Sequence, residues 1–278
     1  MHNEPNGKGG EMSKTVAIAG LGAIGLPLAR ALDAGVDGLR LIAVSCRDPV
    51  KGRANLAGFQ SAPRLVEIPE LADADIVVEC TPAAVFERVA LPALEAGRIF
   101  IPASAGALLP RMHLAKLARQ TGARIVVPTG ALLGLDAVRA AAEGPIESIS
   151  IETRKPPMGL IGAPYLEKHG IDVMDLIQPL LVFEGNALDA AAGFPANVNV
   201  AAALALAGIG PIRTQVQIWA DPAISRNIHI IRVESDAARF TMTIENVPSA
   251  DNPRTGRLTA LSVLACLRGL VSTLKVGS

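Results

Sequence analysis

The residues of this chain with the clearest chemical meaning are the glycines of one loop, Gly20, Gly22 and Gly25, which follow a short apolar run. In a dinucleotide-binding turn the first glycine permits the tight turn, the second lets the backbone approach a pyrophosphate, and the third lets the next helix pack on its strand. The free N–H groups at the start of that helix face the phosphates. Together with Ala23 and Ile24, this spacing predicts that the chain binds a nicotinamide cofactor; the alternative is a glycine-rich turn that binds nothing.

The elements around this loop support the prediction. Residues 26–34 are typical of a helix and residues 39–45 of a second strand, which gives a βαβ unit of about thirty residues. Three later strands continue the alternation with helices: residues 75–80, 99–102 and 124–128. The pattern predicts an α/β fold with a Rossmann domain, a doubly wound parallel sheet that binds ligands beyond the carboxyl ends of its strands. Cys80, Thr81 and Ala131 follow two of these strands, so we expect them near the cofactor.

The end of the second strand bears on which cofactor is bound. An acidic side chain there usually binds the ribose hydroxyls of NAD. In this chain that position falls on Cys46, which is followed by Arg47. Because no carboxylate would repel a 2′-phosphate, and Ser45 and Arg47 could bind one, the sequence favours NADP at least as much as NAD. The alternative is that Arg47 is only solvated and that Asp48 binds the ribose.

The pattern changes in the second half of the chain. Four segments alternate polar and apolar residues with period two: residues 148–154, 215–220, 229–235 and 238–245. They predict a second, α+β domain with a mostly antiparallel sheet and inserted helices. We therefore expect a disordered leader at 1–12, a dinucleotide-binding domain at 13–131 and a substrate and oligomerisation domain at 132–255. The last helix, 256–274, is expected to pack back on the first domain, and the active site to lie in the cleft between the two.

Three side chains of the second half could take part in chemistry. His229, at the start of a predicted strand, is suited to proton transfer near neutral pH, although a lone histidine on a strand is more often structural. Asn199 lies in the first turns of an alanine-rich helix, where an amide is costly unless it bonds something, such as a cofactor carboxamide or a substrate carboxylate; the alternative is an ordinary helix N-terminus. Lys155 ends a strand before two prolines and could bind an acidic substrate; the alternative is a solvated lysine.

Composition excludes several classes of protein. The 278 residues carry 26 Lys plus Arg and 26 Asp plus Glu, so no charge excess attracts nucleic acid or an anionic membrane. Three cysteines far apart in the sequence fit reduced thiols in the cytoplasm rather than disulfides or a metal site, and none is expected to bind metal. Neither a secretory signal nor a transmembrane segment is expected.

The motifs of the second half are more specific than the glycine turn. They are Gly185-Asn186-Ala187, Phe194-Pro195-Ala196-Asn197-Val198-Asn199-Val200-Ala201, Ala207-Gly208-Ile209-Gly210, Ile218-Trp219-Ala220-Asp221-Pro222, Arg226-Asn227-Ile228-His229, Glu245-Asn246-Val247-Pro248-Ser249 and Asn252-Pro253-Arg254-Thr255-Gly256. Together they closely resemble the L-aspartate dehydrogenase family, from about residue 15 to residue 274. The resemblance implies a Rossmann domain that binds NAD or NADP, a second domain with a mixed sheet, and a homodimer or a larger homo-oligomer.

The resemblance also implies the reaction. L-aspartate is oxidised reversibly to iminoaspartate, which hydrolyses to oxaloacetate and ammonia or feeds NAD biosynthesis. His229 matches the family's active-site histidine, the proposed acid and base. Ala131 and Asn199 match cofactor-contacting positions, with Asn197 as the fallback if the register is off by two.

Other functions stay open at this point. A related dehydrogenase, or an imine or semialdehyde reductase, could act on another small acid with the same scaffold. An acyl-transferring semialdehyde dehydrogenase would need a nucleophilic cysteine, for which Cys80 is the candidate. A nicotinamide-binding regulator without turnover is a further alternative. For aspartate itself, no arginine stands out as a clamp for its carboxylates, although Lys155 and Arg154 could serve.

Overall fold

The computed structural model describes residues 13–195, 198–247 and 256–277; the predicted leader and Asn197 lie outside these ranges. The strands of the first half are β1 (Lys14–Ala19), β2 (Leu39–Ser45), β3 (Arg64–Leu65), β4 (Ile76–Glu79), β5 (Ile99–Pro102) and β6 (Arg124–Ile125). Its α-helices are α1 (Gly25–Asp33), α2 (Pro49–Leu56), α3 (Phe86–Glu95), α4 (Ala105–Leu108) and α5 (His113–Thr121). Short 3₁₀ helices cover Ile68–Asp73 and Leu109–Arg111.

These strands form one parallel sheet in the order β3-β2-β1-β4-β5-β6. The chain runs outward from β1 to β3 and then crosses back to β4, which lies on the other side of β1. This reversal leaves a crevice at the carboxyl ends of β1 and β4, where doubly wound sheets bind their ligands. The predicted Rossmann sheet is therefore confirmed.

The second half forms a mixed sheet with helices on its inward face. Its strands are β7 (Ile146–Lys155), β8 (Leu180–Asn186), β9 (Thr214–Ala220), β10 (Asn227–Ser235) and β11 (Arg239–Asn246). Its helices are the 3₁₀ helix Pro157–Gly159 and the α-helices α6 (Leu135–Ala141), α7 (Pro164–His169), α8 (Ala187–Gly193), α9 (Asn199–Ala207) and α10 (Arg257–Val271). The order is β11-β10-β7-β9-β8, in which β7 and β9 are parallel and the other pairs antiparallel. The predicted mostly antiparallel sheet is confirmed.

Apolar residues bury both faces of the parallel sheet. On one face, Val16 and Ile18 of β1 pack in a cluster with Leu28 of α1 and with Val263 and Leu267 of α10. The opposite face packs against α3 and α5. Helix α10 therefore covers the first sheet, although it belongs to the far end of the chain.

Alternation along β7 and β10 decides which side chains face the pocket. On β7, Ile149 and Ile151 are buried in the core of the second half, so Thr153 and Lys155, which have the same parity, also point inward. On β10, Ile231 likewise shares its face with His229. The period-two pattern thus carries polar side chains into the interior at the ends of both strands.

Some elements differ from the sequence-based expectation. Strand β8 was not predicted, because its segment Leu180–Asn186 follows a proline and lacks regular alternation. Strand β6 ends at Ile125 instead of residue 128, and α3 begins at Phe86 after a turn instead of at residue 83. In the described residues, no helix is long and apolar enough to cross a membrane.

Candidate active site

A pocket lies between the carboxyl edge of the parallel sheet and the inward face of the mixed sheet. Both halves of the chain line it: Ile24, Pro102, Ala103, Ala105, Pro128, Thr129, Gly130, Ala131, Lys155, Asn199, Val200, Ala203, Asn227, His229, Asn246, Gly256 and Thr259. The first half contributes mainly strand-end loops, and the second contributes most of the polar side chains. The pocket therefore joins a dinucleotide-binding edge to a group of candidate catalytic residues.

The glycine loop leads into this pocket with the geometry of a phosphate cradle. Gly20 has a φ of +93° and lies directly against the carbonyl of Cys80, so a side chain would not fit. A Cβ on Gly25 would collide with the Gly20 carbonyl, whereas a Cβ on Gly22 would meet nothing within 4 Å. Helix α1 begins after Ile24 without a side-chain cap. The open space beside Gly22 and the uncapped helix start fit a dinucleotide pyrophosphate.

The end of β2 presents no exposed acidic side chain at the predicted ribose position. Cys46 occupies that position and is half-buried, and Arg47 after it is exposed. The Asp48 carboxylate caps α2, because its Oδ1 accepts from the N–H groups of Val50 at 3.0 Å and Lys51 at 3.1 Å. One oxygen of Asp48 is therefore already engaged in the helix cap.

Cys80 does not have the surroundings of a nucleophile. Cys80 is half-buried, and burial followed by the nearby charge of Glu79 raises the pKa of its thiol well above its ordinary value. Cys80 is also not among the residues that line the pocket. A buried thiol with a raised pKa is inert, so the geometry does not favour the acyl-transferring semialdehyde dehydrogenase.

His229 is buried at the floor of the pocket, with 2% of its surface exposed. Burial, and secondly the positive charge of Lys155, lowers the pKa of its imidazole from 6.5 to about 3. The imidazole is therefore neutral at pH 7, and with this pKa it is a weak base. Its Nδ1 lies 3.0 Å from the Thr153 hydroxyl, a contact that fixes the ring and couples its tautomer to the orientation of that hydroxyl.

Two adjacent cations of β7 point to opposite faces of the sheet. Lys155 is 4% exposed and lines the pocket. Arg154 lies on the outer face, where its guanidinium contacts Glu152 at 2.6 Å and Asp221 at 3.2 Å and stacks over the ring of Trp219. Of the two cations considered for an acidic substrate, the pocket contains Lys155.

Two asparagine side chains tie the halves of the chain together at the pocket. Asn199 Oδ1 accepts from the Gly106 N–H at 2.9 Å, so the amide bonds the protein backbone of the first half. Asn246 Nδ2 donates to the Ala131 carbonyl at 2.9 Å. These bonds hold the inward face of the second sheet against the strand ends of the first.

The structure thus brings together some of the predicted site residues and separates others. Those that line the pocket are Ile24, Ala131, Lys155, Asn199 and His229. Those outside its lining are Gly20, Gly22, Ala23, Gly25, Arg47, Cys80 and Thr81, which lie in the glycine loop and at the ends of β2 and β4. In the described ranges, no three or more His, Cys, Asp or Glu side chains lie close enough together to hold a metal ion.

Sequence reasoning missed Thr153, Asn227 and Asn246, which are all buried in or beside the pocket. A usable signal was present for each. Each lies in an alternating strand at a position where the pattern otherwise places an apolar residue. Asn227, for example, lies two residues before His229 on the same face of β10. Polar residues at such positions are costly unless they bind something.

The strand order and the glycine cradle, facing a polar pocket on a second sheet, define the class: a two-domain dehydrogenase that uses a nicotinamide cofactor. The model of the family described as "Aspartate dehydrogenase, C-terminal" matches residues 136–270, and that of "Homoserine dehydrogenase, NAD binding domain" matches residues 20–128. The chain is 54% identical to an L-aspartate dehydrogenase of Bradyrhizobium diazoefficiens, over 95% of this chain and 94% of the relative. The chain belongs to the L-aspartate dehydrogenase family.

Further comparisons agree. An enzyme of Bordetella bronchiseptica named L-aspartate dehydrogenase 3 is 53% identical, over 95% of this chain and 97% of that protein. The crystal structure of an aspartate dehydrogenase from Thermotoga maritima superimposes with a TM-score of 0.74 at 29% identity, covering 95% of this chain and 99% of the other. The similarity therefore spans both sheets.

Proposed function

We propose that this chain oxidises L-aspartate reversibly to iminoaspartate with NAD or NADP, and that water then converts the product to oxaloacetate and ammonia. The observation that carries the proposal is the pairing of a buried, neutral His229 with a buried Lys155 in a pocket that opens onto the glycine-loop helix. The names of relatives that match nearly the whole chain support the substrate.

The glycine loop and the strand ends would hold the cofactor. Gly22 and the start of α1 would bind the pyrophosphate, while Ala131 and Asn199 lie where they could contact the nicotinamide end. When bound, the nicotinamide supplies the acceptor for the hydride of the aspartate α-carbon. The chain's own task is to align the two reactants and exclude water.

His229 is the proposed base. Oxidation of the α-ammonium group requires loss of one proton from nitrogen as well as the hydride from carbon, and the neutral imidazole can accept that proton. The same ring can take a proton from the water that attacks the imine carbon. If the Thr153 hydroxyl accepts from Nδ1–H, the lone pair for both transfers is on Nε2.

Lys155 is the proposed partner of a substrate carboxylate. An ammonium group that is almost fully buried binds a carboxylate more strongly than an exposed one, because water screens the pair less. Burial is the main cause of the lowered pKa of His229 and the charge of Lys155 the second, and a bound substrate carboxylate would offset that charge. Substrate binding would thereby make the imidazole a better base. Asn197 remains a weaker proposal for the substrate site.

The proposed cofactor preference is NADP at least as much as NAD. Arg47 is exposed at the end of β2, and Asp48 is engaged in capping α2. If Arg47 binds a 2′-phosphate, Arg47→Ala should lower kcat/KM with NADP by about ten- to a hundredfold and leave kcat/KM with NAD nearly unchanged. Equal losses of kcat/KM with NADP and NAD would show that Arg47 does not bind the 2′-phosphate.

The proposed domains are residues 13–131 and 132–255, with residues 256–274 packing back on the first. The support is that β1 to β6 lie in the first range and β7 to β11 in the second. Packing of Val263 and Leu267 on β1 supports the return of the last helix.

A homo-oligomer is proposed on the outer face of the mixed sheet. Ile228 and Ile230 alternate with the inward residues of β10 and stay half-exposed on that face. A second subunit could cover these isoleucines. We also propose a cytoplasmic location, because all three cysteines are free thiols.

The experiment that tests the function follows absorbance of the reduced nicotinamide with purified protein. NAD and NADP are supplied separately, with L-aspartate in one direction and oxaloacetate plus ammonium in the other. Turnover dependent on aspartate is expected. Cofactor binding without turnover of aspartate or of oxaloacetate with ammonium would overturn the proposed substrate.

A further inference from the structure

Glu79 is a carboxylate fully buried at the centre of the parallel sheet. It is the last residue of β4, its surface exposure is 0%, and β4 lies between β1 and β5. The neighbouring residues Val77 and Val78 are equally buried but apolar. An apolar residue would suit this position better for stability, because several kcal/mol are needed to bury an unpaired carboxylate. The carboxylate at this position therefore needs another explanation.

The contacts of Glu79 connect two loops of the cofactor edge. Oε1 accepts from the Thr81 N–H at 2.6 Å and the Thr81 hydroxyl at 2.7 Å, in the loop after β4. Ser104, in the loop after β5, donates its N–H to Oε2 and its hydroxyl to Oε1, both at 3.2 Å. These four donors are neutral, and burial still raises the pKa of the Glu79 carboxyl above its ordinary value.

Both loops lead to surfaces that the reaction needs. The carbonyl of Cys80, one residue before Thr81, packs directly against Gly20 of the glycine loop. On the other side, Ser104 lies between two alanines that line the pocket, and the Gly106 N–H that follows donates to Asn199. The carboxylate therefore lies between the phosphate cradle and the pocket and bonds to the loop that leads to each.

We propose that Glu79 is a positioning residue that holds these two loops in the relative placement that cofactor binding requires. Glu79 is not among the residues that line the pocket. The inference rests on the proposed function only in the choice of turnover assay, because cofactor affinity can be measured without substrate.

The test compares Glu79→Gln with Val78→Ala, a matched change at the adjacent buried position. Glutamine keeps the shape but places an NH₂ group opposite N–H and O–H donors, so it breaks at least one of the four bonds. We expect Glu79→Gln to raise the dissociation constants of NADH and NADPH by about tenfold, measured by fluorescence of the reduced cofactor. Val78→Ala should lower the melting temperature of the cofactor-free protein and leave both dissociation constants unchanged.

Steady-state kinetics add a second readout. Glu79→Gln should raise the KM for the cofactor more than the KM for L-aspartate. Unchanged cofactor affinity in Glu79→Gln would overturn the inference, whatever happens to its melting temperature. An equal loss of affinity in Val78→Ala would also overturn it, because the effect would then be general destabilisation.

Ser104→Ala keeps the inference testable if Glu79→Gln fails to fold. This variant removes the hydroxyl contacts to Glu79 Oε1 and to the Thr81 carbonyl, both at 3.2 Å, but retains the backbone N–H bond to Glu79, so cofactor affinity should fall only severalfold. Unchanged affinity in a folded Ser104→Ala would count against the role of the carboxylate. If the wild-type protein binds cofactor but does not turn over aspartate, the proposed function fails, and the binding comparison still decides the role of Glu79.

Discussion

The two sides of the pocket are built from different parts of the polypeptide. The cofactor side offers backbone, with open space at Gly22 and an uncapped start to α1. The opposite side offers buried polar side chains, above all Lys155 and His229. This difference between the two sides indicates that backbone peptide groups suffice to bind phosphate, whereas proton transfer and carboxylate binding need particular side chains. Substitutions on the two sides should therefore fail in different ways.

The largest effect is expected from the side chain that moves the proton. His229→Ala should lower kcat by about a hundredfold to ten-thousandfold, because a positioned base contributes that much to rate. Affinity for NADH and NADPH should remain as in the wild type. His113→Ala, which changes an exposed histidine of α5, is the control and should keep normal turnover. Near-normal kcat in His229→Ala would remove this residue from the mechanism.

The same histidine should also make stability depend on pH. In the unfolded chain an imidazole binds its proton near pH 6.5, whereas in the folded protein the pKa of His229 is about 3. Between these values the unfolded state binds more protons than the folded state. The contribution of His229 to the stability of the folded protein is therefore complete above pH 6.5 and is lost as pH falls toward 3. Urea unfolding at pH 6.5 and 4.5 should show the wild type losing about 2 kcal/mol more than His229→Gln. His113→Gln should behave like the wild type; equal losses in all three proteins would refute the coupling.

A smaller effect is expected at the substrate cation. Lys155→Met should raise the KM for L-aspartate by about ten- to a hundredfold, which is the cost of losing a charge-assisted hydrogen bond, with cofactor affinity unchanged. Arg154→Met removes the same charge one residue earlier on the outer face and should leave that KM unchanged. If Lys155→Met and Arg154→Met have the same KM for L-aspartate, the position of Lys155 in the pocket has no effect on substrate affinity, and Lys155 does not bind the substrate.

The smallest effect is expected from a substitution on the cofactor side of the pocket. Gly22→Ala adds a methyl group to open space, so the cofactor-free protein should melt at the wild-type temperature. The methyl group would occupy the approach of the pyrophosphate, and cofactor affinity should fall about tenfold. Gly269→Ala in α10 also enters open space and should leave affinity intact. Full affinity in Gly22→Ala would mean that the phosphates lie elsewhere.

The backbone side of the fold was largely predictable from the sequence. Strands β2 and β5 begin and end where the sequence predicts them, because apolar runs are bounded by turn residues such as Gly38 and Gly97. The parallel pairing of β7 with β9 was not predictable from periodicity, because alternation gives the face of a side chain and not the neighbour of a strand.

The side-chain side was only partly predictable. His229 and Lys155 drew attention by residue type. The pattern could have indicated Thr153 as a buried polar residue, but not its partner, because His229 lies opposite it only through the pairing of β10 with β7. Glu79 shows the same limit, since its bonds to Ser104 join the end of β4 to the loop after β5. Contacts across a sheet depend on tertiary pairing, which local patterns do not contain.

Helix α10 has a consequence for how the protein is made. Val263 and Leu267 fill the same cluster as Val16, Ile18 and Leu28, which leave the ribosome long before them. A growing chain therefore exposes part of the apolar surface of its first sheet until α10 has been synthesised and has left the ribosome. The half of the protein that is translated first is thus completed only by a helix that is translated after the second sheet.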